Sequence, residues 1–136
     1  MGDKSFVLEI VTPRKVVYSG DVVSFSAPGV VGNFQVLLNH APMLAQVGIG
    51  EVKLRDETGS EIRYATSGGF VDVRANHVVM LAETAEPAGE IDQQRATAAR
   101  DRAMKALEQR MSEQEREARR EALQRALNRL RVAMRQ

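Results

Sequence analysis

Cysteine and tryptophan are absent from this 136-residue chain. Without cysteine there is no disulfide, no thiolate metal site and no cysteine nucleophile, and a reducing compartment is compatible with the composition. Aromatic residues are scarce, four phenylalanines and two tyrosines. No apolar run approaches the roughly 20 residues of a membrane-spanning helix. Met1-Gly2-Asp3-Lys4-Ser5-Phe6 lacks the apolar stretch of a signal peptide. The chain is therefore expected to be soluble or peripheral, with no direct membrane insertion. Catalytic patterns are missing as well: no G-x-x-x-x-G-K-[ST], no G-x-G-x-x-G, no G-x-S-x-G and no H-E-x-x-H. The only histidines, His40 and His77, stand 37 residues apart near turns and read as structural. No nucleophile–base pair can be named, so the chain reads as a non-enzyme with no metal and no obligatory cofactor.

A local absence is more informative. All ten glycines, all four prolines and all six aromatics lie in residues 1–89, and the remaining 47 residues contain none. Glycine and proline punctuate turns, so their disappearance marks a change of architecture. Charge changes at the same place. Residues 1–89 carry seven Lys/Arg against ten Asp/Glu, a net −3, and the tail carries twelve basics, eleven of them arginine, against eight acids, a net +4. Acids are interleaved with those basics and no aromatic is present to stack a base, so nucleic acid is not the expected partner.

The first part shows short, alternating, β-branched runs cut by turn residues. They are residues 5–11, 15–18, 21–27, 33–38, 50–55, 61–66, 70–74 and 77–81. Pro28-Gly29 and Ser67-Gly68-Gly69 read as tight turns, and residues 56–59 (DETG) as a hairpin turn. Such spacing predicts an antiparallel sandwich or barrel. Glu86-Pro87-Ala88-Gly89 reads as a linker. Beyond it the period becomes 3.6. Ala96, Ala99, Ala103, Ala106/Leu107 and Met111 form one stripe, and Ala118, Ala122/Leu123, Ala126/Leu127, Leu130 and Ala133/Met134 another. Ser112-Glu113-Gln114-Glu115 matches a capping box, and Asp92 is an N-cap candidate. Two helices in an antiparallel hairpin follow. The first stripe is mostly alanine and buries little area, so at about 25 cal/mol per Å² the hairpin is marginal by itself.

Arg95 and Arg102 share a face of the first helix, Arg125 and Arg129 a face of the second. In a hairpin centred near residue 112, Arg95 faces Arg129 and Arg102 faces Arg125. A polyphosphate would satisfy such a cluster through bidentate hydrogen bonds, with Asp92 and Glu86 near the start of the first helix to position a ribose, a base or an arginine. Spacing alone favours a solvated helix face with ion pairs, Arg95–Asp92 and Arg125–Glu121 among them. On the residues alone, a free-standing β-module with a coiled-coil tail, acting as a scaffold or nucleic-acid binder through Leu123, Leu127, Leu130 and Met134, is the alternative.

Four segments, in order, resemble one family. Residues 33–44 (NFQVLLNHAPML) are similar to the G-E-[LF]-G-[IV]-[LY]-x-G-H-x-P-L segment of the ε subunit of F-type ATP synthases. Residues 64–73 (YATSGGFVDV) resemble its [IY]-x-x-S-G-G-[FIL]-x-E-V strand, residues 77–86 (HVVMLAETAE) its V-x-[IV]-L-A-x-x-A-E end, and residues 91–96 (IDQQRA) its I/L-D-x-x-R-A motif. The resemblance implies an N-terminal β-sandwich of about ten strands over residues 1–86, a linker at 87–90 and a regulatory helical hairpin at 91–136. It implies a non-catalytic rotor subunit whose partners are the γ subunit, the c-subunit ring and, with the tail extended, the α/β catalytic head. It implies inhibition of ATP hydrolysis by the extended hairpin, and ATP as a regulatory ligand of the folded one, held by Glu86, Asp92, Arg95, Arg102, Arg125 and Arg129. Ring contacts are expected at Asn33, His40, Ala41 and Pro42, and contacts with the head at Arg116, Arg119, Arg120 and Arg131. The implied location is the cytoplasmic face of a bacterial cell membrane, in proton-driven ATP synthesis. The family often has Glu at the position of Asn33 and Gly at those of Gln35 and Asn39, so the ring contact at position 33 lacks a charge here.

Overall fold

A computed structural model describes residues 4–135. Met1–Asp3, which open the stretch read above for a signal peptide, and Gln136, the end of the expected hairpin, lie outside the described residues. The elements are β1 (Phe6–Val11), β2 (Val16–Gly29), β3 (Gly32–Val36), β4 (Met43–Val47), β5 (Gly50–Asp56), β6 (Glu61–Arg74) and β7 (His77–Pro87), a 3₁₀ turn (Ala88–Glu90), then α1 (Gln93–Leu107) and α2 (Glu113–Met134). Two compact units divide between Pro87 and Ala88. The stretch expected as a linker is thus the last residue of β7, paired with Tyr64, and a 3₁₀ turn whose Ala88 is buried.

In the first unit alternation decides which side chains go in. β1 buries Phe6, Leu8 and Ile10 and turns Val7 outward, as a period of two requires. Hydrogen bonding runs β1–β7–β6–β5–β2 and returns to β1, closing the sheet on itself. β3 hangs from β2, and β4 from β6. The interior is filled by Leu8, Ile10, Val22, Phe25, Val36, Val52, Leu54, Val71, Val73, Val78 and Met80, all essentially inaccessible. β1 and β7 pair in parallel, so the sandwich is antiparallel apart from that one seam.

The strands are fewer and longer than the turn residues predict. The expected strands 15–18 and 21–27 are one strand, β2, which carries Gly20 and the Pro28-Gly29 pair within it. Ser67-Gly68-Gly69 is no turn: β6 runs through it, with register shifts against β7 on either side of Gly68. This bulge bends β6, so residues 61–66 pair with β5 and residues 69–73 with β4. Gly69 has φ +149, and a Cβ there would collide with the Leu81 carbonyl oxygen. β4 itself lacked a recognisable signal because it buries only Val47 fully. The hairpin turn at 56–59 is as expected. Asp56 Oδ1 accepts from the Thr58 hydroxyl (2.6 Å), the Thr58 amide (2.9 Å) and the Ser60 amide (3.0 Å). Those bonds, the Thr58 hydroxyl foremost, hold the carboxyl below its ordinary range.

In the second unit Asp92 caps α1, its Oδ1 accepting from the Arg95 amide at 3.1 Å. The Ser112/Glu115 capping box opens α2. α1 and α2 pack together, and the 3₁₀ turn packs on α2. Buried residues are Ala96 and Ala103 on α1 and Ala126, Asn128, Val132 and Ala133 on α2. Ala118 and Met134, expected in the stripe, are exposed. A single 3.6-period stripe fails near the end of α2 because two elements contact it, which buries more than one side.

Replacing Gly69 by alanine is expected to destabilise the sandwich by roughly 2–4 kcal/mol, since backbone geometry and the Leu81 carbonyl both reject a Cβ. A urea midpoint equal to that of the unsubstituted chain would contradict this account of the bend.

Candidate functional site

The candidate sites of this molecule are surfaces. Among the described residues no group of three His, Asp or Glu side chains could hold a metal ion. No helix there is long and apolar enough to cross a membrane.

The two outer faces of the sandwich differ. Strand register aligns Val11, Leu81, Phe70 and Gln46 across β1, β7, β6 and β4, and beside them Glu9, Val79, Asp72 and Leu44. Leu44 is 73% exposed, Leu81 58% and Phe70 51%. Contiguous exposed apolar groups of this kind mark interaction surfaces. The face over β5 and the first half of β6 is instead a charge ladder, with Arg63 bonded to Glu51 (3.0 Å) and Glu61 (2.7 Å), and Arg55 to Glu61 (3.3 Å).

His40, Ala41 and Pro42 occupy the loop between β3 and β4. The His40 amide donates to the Leu37 carbonyl, and Nδ1 donates to the Ala41 carbonyl at 2.7 Å, so the ring is turned onto its own loop. Ala41 and Pro42 are exposed. Asn39 has φ 64, a left-handed backbone that explains glycine at this place in the family pattern; Gln35 has no such conformation. Asn39 exchanges two hydrogen bonds with Asn76, in the β6–β7 turn. Asn33 is exposed but stands at the start of β3, about 13 Å along the strand from this loop. It does not join the cluster. An open groove of about 560 Å³ beside the loop is lined by Pro42, Met43, Leu44, Asp72, Arg74 and Ala75, among others. Sequence reasoning missed Asn76 and the groove, because the pairing spans 37 residues and leaves no local signal.

In the hairpin, Arg95, Arg102 and Arg125 are exposed and Arg129 is half-buried. Arg95, Arg102 and Arg125 each immediately precede a buried alanine, Ala96, Ala103 and Ala126, and so lie about 100° back around the helix from the packing stripe. Arg129 precedes half-buried Leu130 in the same way. In an antiparallel pair those two flanks fall on the same side, so all four arginines share one side of the hairpin. Asp92 gives its carboxylate to the cap of α1, not to the Arg95 guanidinium, and no ion pair joins Arg125 to Glu121. Glu86 lies in β7 of the other unit. An open depression of about 360 Å³ on α1 is lined by Gln93, Gln94, Thr97, Ala98 and Asp101, none of the six residues expected to hold ATP.

The arginines expected to meet a catalytic head divide by environment. Arg116 Nη1 donates to the Leu107 carbonyl (3.1 Å) and Nη2 to the Gln109 carbonyl (3.3 Å). It thereby satisfies carbonyls at the end of α1, where the helix dipole favours a cation. Arg120 pairs with Glu117 (2.8 Å) and Glu113 (3.3 Å). Arg119 and Arg131 are exposed and make no ion pair among the described residues.

Comparison with known proteins matches this division of the chain. Residues 5–88 match the family described as ATP synthase, Delta/Epsilon chain, beta-sandwich domain, and residues 90–134 the family described as ATP synthase, Delta/Epsilon chain, long alpha-helix domain. The ATP synthase epsilon chain of Syntrophomonas wolfei is 42% identical over 133 residues, covering 98% of this chain and 97% of that one. That of Pelotomaculum thermopropionicum is 47% identical over 107 residues, 79% of each chain. A chain in the cryo-EM structure of the Euglena gracilis mitochondrial ATP synthase (OSCP/F1/c-ring) has the same fold, with a TM-score of 0.84 over 98% of this chain and 86% of its own, at 24% identity.

Arg116→Ala should lower the stability of the hairpin by about 1–2 kcal/mol, because it uncovers two carbonyls that a cation now satisfies. Arg119→Ala should leave it unchanged. Thermal melting of the helical circular dichroism compares the two, and equal melting would refute the role of Arg116.

Proposed function

Since the chain belongs to the delta/epsilon chain family of F-type ATP synthases, among its ε chains, we propose that it is a non-catalytic central-stalk subunit that couples γ to the c-subunit ring and regulates ATP hydrolysis. The observation that carries this reading is the tiling of the chain by the two family domains, 5–88 and 90–134, with the structural division at Pro87/Ala88. The Euglena relative in fold comes from an F1/c-ring assembly, and a second fold relative, with a TM-score of 0.54, from the central stalk and c-ring of the Tetrahymena thermophila enzyme. Both origins support a place in the rotor.

In this reading each surface has a partner suited to its chemistry. The apolar strip of Leu44, Phe70 and Leu81 packs on γ, where burial of apolar area holds two proteins in register. The loop at His40–Pro42 meets the ring, with Asn33 as a separate uncharged contact. The complex sits peripherally on the cytoplasmic face of a bacterial membrane and synthesises ATP from a proton gradient. No group of this chain performs chemistry; it transmits torque by packing.

Regulation is a population shift between a folded and an extended hairpin. ATP favours the folded form only by binding it better than the extended one. Arg95, Arg102, Arg125 and Arg129, on one side of the folded hairpin, supply guanidiniums for its phosphates, and Asp92 and Glu86 lie near the start of α1 in sequence. Opening the hairpin separates the α1 arginines from the α2 arginines and dismantles the site. It also releases Arg116 from the α1 carbonyls, so that Arg116 joins Arg119, Arg120 and Arg131 as basic groups for acidic surfaces of the α/β head.

Co-purification with γ, then ATPase assays of the complex with the full chain or with residues 1–89 only, tests the rotor and brake roles; hydrolysis should rise when the tail is missing. In the full chain, Arg125→Ala together with Arg129→Ala should weaken ATP binding at least about tenfold, each guanidinium–phosphate contact being worth 1.5–3 kcal/mol. Calorimetry giving an affinity within twofold of the unsubstituted chain would remove ATP from this site.

A further inference from the structure

The loop of residues 37–42 has an exposed location and a structural difficulty. It leaves β3, which pairs only with β2, and enters β4, which pairs mainly with β6. It therefore carries the chain from a strand paired with β2 to one paired mainly with β6. Within the loop the backbone makes the His40–Leu37 bond at 3.2 Å. Leu38 packs against the core, and Asn76 supplies side-chain hydrogen bonds that tie the loop to the rest of the sandwich. Asn76 Oδ1 accepts from the Asn39 amide at 2.7 Å, and Asn76 Nδ2 donates to Asn39 Oδ1 at 3.0 Å. The carbonyl of Asn76 in turn accepts from the Val7 amide at 3.0 Å. One residue thus joins three chain segments: the loop, the β6–β7 turn and the start of β1.

The orientation is chemically determined. A backbone amide can only donate, so the Asn39 N–H requires Oδ1 of Asn76 on its side, which turns Nδ2 toward Asn39 Oδ1. Asn39 and Asn76 have φ 64 and 63, a region in which glycine is free and asparagine is the usual substitute. Glycine would meet the backbone requirement at either position, but at 76 it would lose both bonds and at 39 it would keep the amide bond and lose the one to Asn39 Oδ1.

We propose that Asn39 and Asn76 form a clasp that positions the loop carrying His40, Ala41 and Pro42 for docking on the c-subunit ring. The proposal rests on the ring-facing reading of that loop. The clasp transfers a lateral load on residues 40–42 to β1, β6 and β7, the strands whose outer face bears Leu81 and Phe70. Without it, the loop can yield separately from those strands, and ring contact and γ contact are no longer held in one rigid frame. Asn39 and Asn76 are positioning residues; the groups that touch the ring are their neighbours.

The test uses the full-length chain, alone and in the assembled complex. Asn76→Gly keeps the left-handed backbone and removes only the side chain. Asn39→Asp keeps both bonds, since a carboxylate oxygen still accepts from Nδ2. Asn76→Gly is expected to speed hydrogen exchange of the Asn39 amide at least about fivefold. It should also lower the fraction of detergent-solubilised complexes that retain the chain on the ring, while binding to isolated γ and the urea midpoint stay unchanged. Asn39→Asp should behave as the unsubstituted chain in all four measurements. Unchanged exchange in Asn76→Gly overturns the clasp. Faster exchange with full ring retention, when Ala41→Lys strips the ring, overturns the positioning role and leaves the ring-facing loop intact. Full retention with Ala41→Lys overturns the ring-facing reading, and the proposal with it.

Discussion

Strand β6 pairs with β5 in its first half and with β4 in its second, and its register breaks at Gly68-Gly69, where at Gly69 a carbonyl of β7 lies too close for any side chain. If β6 ran straight, its second half could not reach β4, and the ring of hydrogen bonds through β1, β7, β6, β5 and β2 would not close. The position of β4 decides where the loop of residues 37–42 ends. The β6–β7 turn, at the far end of the bent strand, decides where Asn76 stands. Bulges of this sort aim strands, and this one aims the second half of β6 and the β6–β7 turn.

Closing the sheet leaves a small domain with two unlike faces. One is a charge ladder of Arg55, Glu61, Arg63 and Glu51, which water or polar neighbours can solvate. The other exposes Leu44, Phe70 and Leu81 in adjacent strands. Contiguous exposed apolar area of this kind marks an interaction surface, and the charge ladder offers none.

The helical unit is built on a different compromise. α1 fully buries only two alanines against its surroundings, so the hairpin is held by little apolar area. Local devices supply much of the rest: the Asp92 cap, the Ser112/Glu115 box and the Arg116 bonds to the end of α1. Caps stabilise each helix whether or not the two are packed, whereas the Arg116 bonds exist only while the turn between them is closed.

Residue types alone were enough for the change from strands to helices, the two helices and their caps, and the β character of the first part. Each follows from short-range rules: turn residues, a repeat of 2 or 3.6, a serine three places before a glutamate. The four motifs in order were enough for the family. Residue types did not disclose that β2 continues through Gly20 and Pro28, or that Ser67-Gly68-Gly69 bends a strand when the same residues elsewhere make a turn. Those outcomes hinge on which carbonyl lies opposite, a fact about a partner strand. Nor did they disclose that Asn128 and Val132 are buried, because a periodic stripe describes a helix with one neighbour. The loop at His40 was legible as a motif, but its attachment was not. Residue 76 is 37 positions away, and only the folded chain brings its amide group to Asn39.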